Sequence, residues 1–244
     1  KVCEKIYESL SFNLTNAQIR VLREIRKDLK SKNPMNRLVQ GDVGSGKTIV
    51  AVLTAAIVIA EEYQVALMAP TEILAEQHYL SIKQYCECVK IDCAIITSNT
   101  PQKEKKIILN KLKTGEIQFI IGTHSLIQDK VIFNNLGLII IDEQHRFGVE
   151  HRKLLVDKGL NPEVLAMTAT PIPRTLSITL HGDMDISIID ELPKNRIPIK
   201  TQVITPKQIK NAYQKIKDEI KTGGQCFIVY PLIEESEKLD LEAA

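Results

Sequence analysis

Residues 41–48 read GDVGSGKT, which satisfies G-x-x-x-x-G-K-[ST] at every specified position. Residues of these types at this spacing cradle phosphate. Glycines at 41, 44 and 46 let backbone N–H groups converge on phosphate oxygens around Ser45, and a helix starting just after the loop adds positive potential. Lys47 brings the cation for the β- and γ-phosphates, and Thr48 brings a hydroxyl for Mg²⁺. Such a loop needs an acid at the end of a neighbouring strand. The run LGLIIIDEQH ends in Asp142, a candidate Mg²⁺ ligand directly or through water. Glu143 follows, where it could polarise a water attacking the γ-phosphate. A metal-binding acid beside a base favours hydrolysis over transfer to a small molecule. The guanine-reading tetrapeptide N-K-x-D does not occur, so ATP with Mg²⁺ is the expected pair. Taken singly, the loop could be a glycine-rich turn and Asp142-Glu143 a helix start; it is the pairing that carries the reading.

The elements that must position these residues alternate. Strands are expected at 37–40, 65–70, 92–97, 118–122, 138–142 and 164–168, and several are unbroken apolar runs of the kind buried on both faces of a parallel sheet. Helical patterns lie between them. Thr71 is an expected N-cap without a capping box. Thr100-Pro101 is expected to open a second helix as N-cap and first residue, with Gly115 closing it. Strand–helix–strand alternation on this scale implies a parallel, doubly wound sheet. After Thr170 the texture changes: prolines at 171, 173, 193 and 198 suggest a long connection. IKTQVIT then reads as a strand, TPKQIKNAYQKIKDEIKTGG as an amphipathic helix capped by Thr205 and ended by Gly223, and QCFIVYPL as a strand. Two strands and one helix do not close a core, so the chain is expected to be a piece of a longer protein.

Composition limits the function classes. With 244 residues, 44% hydrophobic and 25% charged, this is an ordinary globular balance. Net charge is only +2, so any nucleic-acid surface must come from local clustering. No leader-like h-region is visible, and the longest apolar run, residues 49–60, is too short to span a bilayer. Five cysteines without a C-x-x-C pair suit reduced thiols in the cytoplasm better than a zinc site. Arg20, Arg23, Lys27 and Lys30 recur at helical spacing, a stripe more often solvated than phosphate-facing.

GDVGSGKT, APTEILAEQH, IGTHSL, DEQHRFGVEHR and TATPIPRT follow one another in the order of the motifs of superfamily-two DNA helicases and translocases. Within that superfamily, DEQHRFGV, MTATPIPRTL, DISIIDELPKNRIPIKT and FIVYPLIEESEKLDLEAA resemble the RecG family of bacterial branched-DNA helicases, with the Mfd translocases as relatives. The resemblance implies a RecA-like P-loop NTPase domain over residues 1–195, with a mostly parallel sheet and helices on both faces. Residues 196–244 would be a connection and the beginning of a second RecA-like lobe. FNLTNAQ is similar to an adenine-reading motif, with Phe12 stacking near the base and Gln18 bonding its edge. Pro70, Thr71 and Glu72, and Gly122, Thr123 and His124, match segments that face DNA. Gln144 and His145 would couple the metal site to Thr168, Ala169 and Thr170, and Arg174 is a further phosphate or DNA contact.

The same resemblance implies ATP-driven remodelling of forks and Holliday junctions in bacterial DNA repair and recombination, through closure of two lobes. The partners would be branched DNA, the remainder of the second lobe, which brings a completing arginine, and an N-terminal wedge domain; no membrane is involved. Alone, this piece is expected to bind nucleotide weakly and hydrolyse it poorly. An Mfd-like duplex translocase, a small-molecule P-loop kinase and a non-enzymatic nucleotide switch are the alternatives.

Overall fold

Seven short apolar segments pair into one parallel sheet in the computed structural model, which describes residues 2–170, 184–193 and 199–229. The strands are β1 (Asn36–Gly41), β2 (Gln64–Met68), β3 (Cys93–Ile96), β4 (Phe119–Gly122), β5 (Leu136–Asp142), β6 (Glu163–Thr168) and β7 (Asp185–Ile189), in the order β3-β4-β2-β5-β6-β1-β7. The helices are α1 (Val2–Glu8), α2 (Asn16–Asp28), α3 (Lys47–Ile59), α4 (Glu72–Val89), α5 (Gln102–Thr114), α6 (Val149–Val156) and α7 (Ile209–Lys221).

Right-handed crossovers decide which face each helix covers. The chain moves one way across the sheet from β1 to β2 to β3, then back through β4, β5 and β6. Helices α3 and α4 therefore share one face, and α5 and α6 the other. The core divides accordingly. Val65, Leu67, Phe119, Ile121, Leu138 and Ile140 pack with α1 to α4. Their alternates Ala66, Met68, Ile120, Ile139 and Ile141 pack with Ile108, Leu112 and Leu155 from α5 and α6. Period-two alternation with both faces buried is why these runs show no polar residues.

Strand β7 lies where a plain connection was expected. It is an edge strand of five residues, with only Ser187 and Ile189 buried, so it lacks the unbroken apolar signature. Its backbone pairs with β1 from Arg37↔Asp185 to Gly41↔Ile189. Arg37 fixes it further. That side chain is 10% exposed, bonds Asp28 at 2.5 Å and Ser187 Oγ at 2.8 Å, and lies 3.6 Å from Glu24 and 3.7 Å from Asp185. Ser187 Oγ in turn donates to the Glu24 carboxylate. Arg20, the first member of the basic stripe, donates to Ile188 O and Asp190 and so braces the protein itself.

The helix ends follow local chemistry with one shift. Thr71 caps α4 through Leu74 N, and Gly115 ends α5 at φ 83. Pro101, not Thr100, is the N-cap of α5; Thr100 Oγ1 instead accepts from Thr97 N and closes the preceding turn. Thr15 and Gln18 form a reciprocal capping box on α2.

The chain divides into two compact units, Lys1–Arg196 and Ile197–Ala244. In the second, Pro206–Gln208 forms a 3₁₀ turn, so the N-cap of α7 is Gln208 rather than Thr205. Thr205 N and Oγ1 both donate to Gln208 Oε1. Residues 199–205 and 225–229, expected to form strands, have no ladder, because no neighbouring strand pairs with them among the described residues. Residues 230–232 of the second expected strand lie outside the described residues. No helix among the described residues is long and apolar enough to cross a membrane.

Candidate functional site

A parallel sheet delivers all its strand ends to one edge. Gly41 ends β1, Asp142 ends β5 and Thr168 ends β6, with β6 between the other two. Neighbouring strands lie about 4.8 Å apart, so the backbones of Gly41 and Asp142 are held roughly 10 Å from each other. That gap can be filled from both sides by side chains and a ligand.

The loop after β1 is built for an anion. Gly44 and Gly46 take positive φ of 78° and 86°, which glycine adopts without strain. Gly46 is the N-cap of α3 and supplies no side-chain cap, so the first N–H groups of the helix face an anion site. Lys47 Nζ donates to Gly41 O at 2.7 Å and Asp42 O at 3.0 Å. Burial pushes its pKa down, and Glu143, Asp142 and Asp42 oppose that, so their carboxylates help to keep the ammonium charged.

Two residues support the loop from beneath. Ser45 Oγ is buried beneath the loop, and a Cβ on Gly41 would come within 2.6 Å of it. The Ser45 side chain therefore packs under the loop, leaving its backbone for the anion site. Gln18 is buried and braces the loop: Nε2 donates to Ser45 O at 2.7 Å and Oε1 accepts from Thr15 N at 2.9 Å. One N–H and one lone pair of its amide are engaged this way, with the loop and with the cap of α2. Phe12 is 43% exposed and lines an open cleft of about 1380 Å³ together with Gln18, Gly44, Gly46, Thr48 and Asp142. Glu191, Leu192 and Pro193, just past β7, form another wall of this cleft, and Glu191 accepts from Ala17 N at the start of α2.

At the end of β5, Asp142 Oδ1 accepts from Glu143 N at 3.1 Å, and Oδ2 lies 2.7 Å from His78 Nε2 on α4. His78 had no assigned role; it closes the run APTEILAEQH, but only the fold brings it to the acid. Glu143 has a left-handed backbone, φ 48 and ψ 56. Its Oε2 accepts from Thr168 Oγ1 at 3.3 Å and Ala169 N at 3.4 Å, and lies 3.5 Å from His145 Nδ1. Thr170 N donates back to Thr168 Oγ1. Gln144 is buried and its Nε2 donates to Met184 Sδ. A chain of contacts thus joins the end of β5 to the end of β6. Arg174 lies outside the described residues.

Farther along the same edge, Pro70, Thr71, Glu72, Thr123 and His124 line a shallow depression of about 360 Å³ with Ser98, Ser125 and Gln128. Ser98 and Gln128 fall in no motif; Ser125 sits inside IGTHSL but had no assigned role. Glu72 is half-buried and accepts from Ser98 N at 2.8 Å and Asn99 Nδ2 at 2.5 Å. These bonds hold its carboxylate at the rim of the depression. Gly122 is a packing residue: a Cβ there would meet Ile96 O at 2.5 Å. The His124 ring stands edge-on to His151, with centroids 4.8 Å apart. Burial, and then His151, lower its pKa, so it remains neutral further into the acid range than an ordinary histidine.

Comparison with known proteins fits this geometry. The DEAD/DEAH box helicase family matches residues 15–178. The ATP-dependent DNA helicase RecG of Aquifex aeolicus (strain VF5) is 52% identical over 246 residues, covering 100% of this chain and 31% of the relative. RecG of Bacillus subtilis (strain 168) is 52% identical over 240 residues, covering 98% and 35%. The chain thus spans about a third of the length of these relatives. A solved structure of RecG bound to a three-way DNA junction superposes with TM-score 0.83 and 45% identity, over 95% of this chain and 31% of that one. The DEAD-box helicase Mss116 bound to ssRNA and UDP-BeF shares the fold at TM-score 0.66 and 19% identity, over 91% and 51%. This chain belongs to the DEAD/DEAH box helicase family, and within it to the RecG group.

Proposed function

We propose that this chain is the ATP-binding part of an ATP-dependent DNA helicase that remodels branched DNA. Residues 1–195 serve as the first RecA-like lobe and residues 196–244 as the connection and opening of a second. The observation that carries this reading is the meeting of the loop at Gly44–Thr48 with Asp142 and Glu143 at one sheet edge. The RecG relatives, named as ATP-dependent DNA helicases, and the RecG structure on a three-way junction support the substrate class. The bacterial cytoplasm is the proposed location, as for proteins acting on bacterial DNA.

The chain's own residues divide the work. Loop N–H groups and Lys47 hold the phosphates, and Phe12 offers an exposed aromatic face to the base. Gln18 acts on the nucleotide indirectly, by fixing Ser45 O and with it the loop. Thr48 and Asp142 are hard oxygen donors on one cleft wall, which suits Mg²⁺. Bound there, Mg²⁺ would neutralise and orient the phosphate oxygens. Glu143 orients the attacking water, and its bonds to Thr168 and Ala169 transmit changes at the site to the end of β6. Gln144, His145 and Thr170 extend that route, and Arg174 is its proposed continuation. Pro70, Thr71, Thr123 and His124 face DNA, with Glu72 and Gly122 shaping the surface.

The test is steady-state ATPase, measured for this chain and for a full-length protein carrying it, with a three-way junction and with linear duplex. The chain alone should turn over poorly, and the full-length protein should respond most to the junction. Full DNA-stimulated turnover by the chain alone would contradict the two-lobe reading. An equal response to linear duplex would point to a duplex translocase.

A further inference from the structure

The contact between His78 and Asp142 joins a helix that bears no phosphate-loop or metal-motif residue to the proposed metal-binding acid. We propose that His78 is a positioning residue for Asp142: it fixes the carboxylate in the orientation that Mg²⁺ coordination requires. This rests on the reading of Asp142 as a metal-site acid.

The side chains of His78 and Asp142 are each 12% exposed, and Nε2 and Oδ2 are 2.7 Å apart. An ionised carboxylate only accepts hydrogen bonds, so the proton lies on His78 Nε2. The other oxygen, Oδ1, accepts from Glu143 N. One bond on each oxygen sets both the rotamer and the plane of the carboxylate, while each oxygen keeps a lone pair for a further partner. A donor to a metal-binding carboxylate of this kind commonly sets metal affinity by about 10–100-fold.

Helix α4 is a firm base for such a bond. Ala75, Ile82 and Cys86 anchor it in the core on both sides of His78. Its first turn is fixed by the Thr71 cap and by the bonds of Glu72 to Ser98 and Asn99. At 1.5 Å per residue, His78 lies about 10 Å along the helix from Thr71. The histidine and its neighbours Leu74, Gln77 and Ser81 line the same cleft as Thr48 and Asp142.

The experiment measures equilibrium binding of a fluorescent ATP analogue to this chain, in EDTA and across a Mg²⁺ titration. Wild type, His78→Ala, His78→Gln and Asp142→Ala are compared. The proposal expects His78→Ala to need roughly 10-fold or more Mg²⁺ for half-maximal gain in affinity, with binding in EDTA unchanged. His78→Gln, whose amide can place a donor near the same point, should recover most of the gain. If Asp142→Ala loses the Mg²⁺ response while His78→Ala keeps it, His78 does not position the acid. If His78→Ala loses binding in EDTA as well, its role is structural and the proposal also fails. If Asp142→Ala keeps the full Mg²⁺ response, the metal-site reading itself is at fault and the proposal falls with it.

Discussion

A left-handed backbone costs a residue with a Cβ about 1–2 kcal/mol, and Glu143 carries one at φ 48. The conformation turns its carboxylate from the line of β5 towards Thr168 and Ala169. Glu143→Gln should keep Mg²⁺-dependent nucleotide binding and lose about 10²–10⁴-fold in turnover, as binding and single-turnover assays would show. Gly46 is constrained more tightly, since at φ +86 an added Cβ would lie 2.2 Å from Gln18 Nε2. Gly46→Ala should therefore lower stability by about 1–2 kcal/mol from the backbone alone and abolish nucleotide binding, as thermal unfolding and equilibrium binding would reveal. At this scale the glycines, Lys47, Thr48, Asp142 and Glu143 were legible because their chemistry depends on local spacing along the chain. The supporting contacts of Gln18, Ser45 and Gly122 depend on what packs against them, and so does the contact of His78. Residue type does not reveal whether an amide or an acid turns to a ligand or to its own protein.

Elements were legible where burial was complete. Strands β2, β4 and β5 are covered on both faces and appear as unbroken apolar runs. Strand β7 escaped because one side of each pair of residues is exposed and its hydrogen bonds come from β1, far away in the chain. Its attachment is also electrostatic, which pattern reading does not detect. Arg37 makes its tightest pair with Asp28, whose side chain is 18% exposed. The pairs to Glu24 and Asp185 are more exposed and add only about 0–1 kcal/mol each. Arg37→Ala leaves a partly buried acid unpaired and should cost about 3 kcal/mol in urea unfolding. A loss below 1 kcal/mol would mean that backbone pairing alone holds β7. At the start of α4, Thr71→Ala should cost about 1 kcal/mol through loss of the cap.

For the whole molecule, a net charge of +2 leaves no global attraction for DNA, so the proposed DNA contact rests on local features of the sheet edge where the depression at Thr71 and His124 lies. The nucleotide cleft opens on that same edge of the first unit. A motor needs these two sites to communicate, and the proposed route runs through α4, the ends of β5 and β6, and the contacts of Glu143. Chain order and periodicity were enough to read the parallel sheet. The second unit was less legible, because its expected strands have no partner among the described residues and a strand without a neighbour is only an extended chain. The most direct test of the account is ATP turnover by the full-length protein carrying this chain, with and without a three-way DNA junction, beside its Lys47→Ala variant. The account predicts junction-stimulated turnover that falls by about 10²-fold or more in the variant. Turnover that ignores the junction, or that survives in Lys47→Ala, would contradict it.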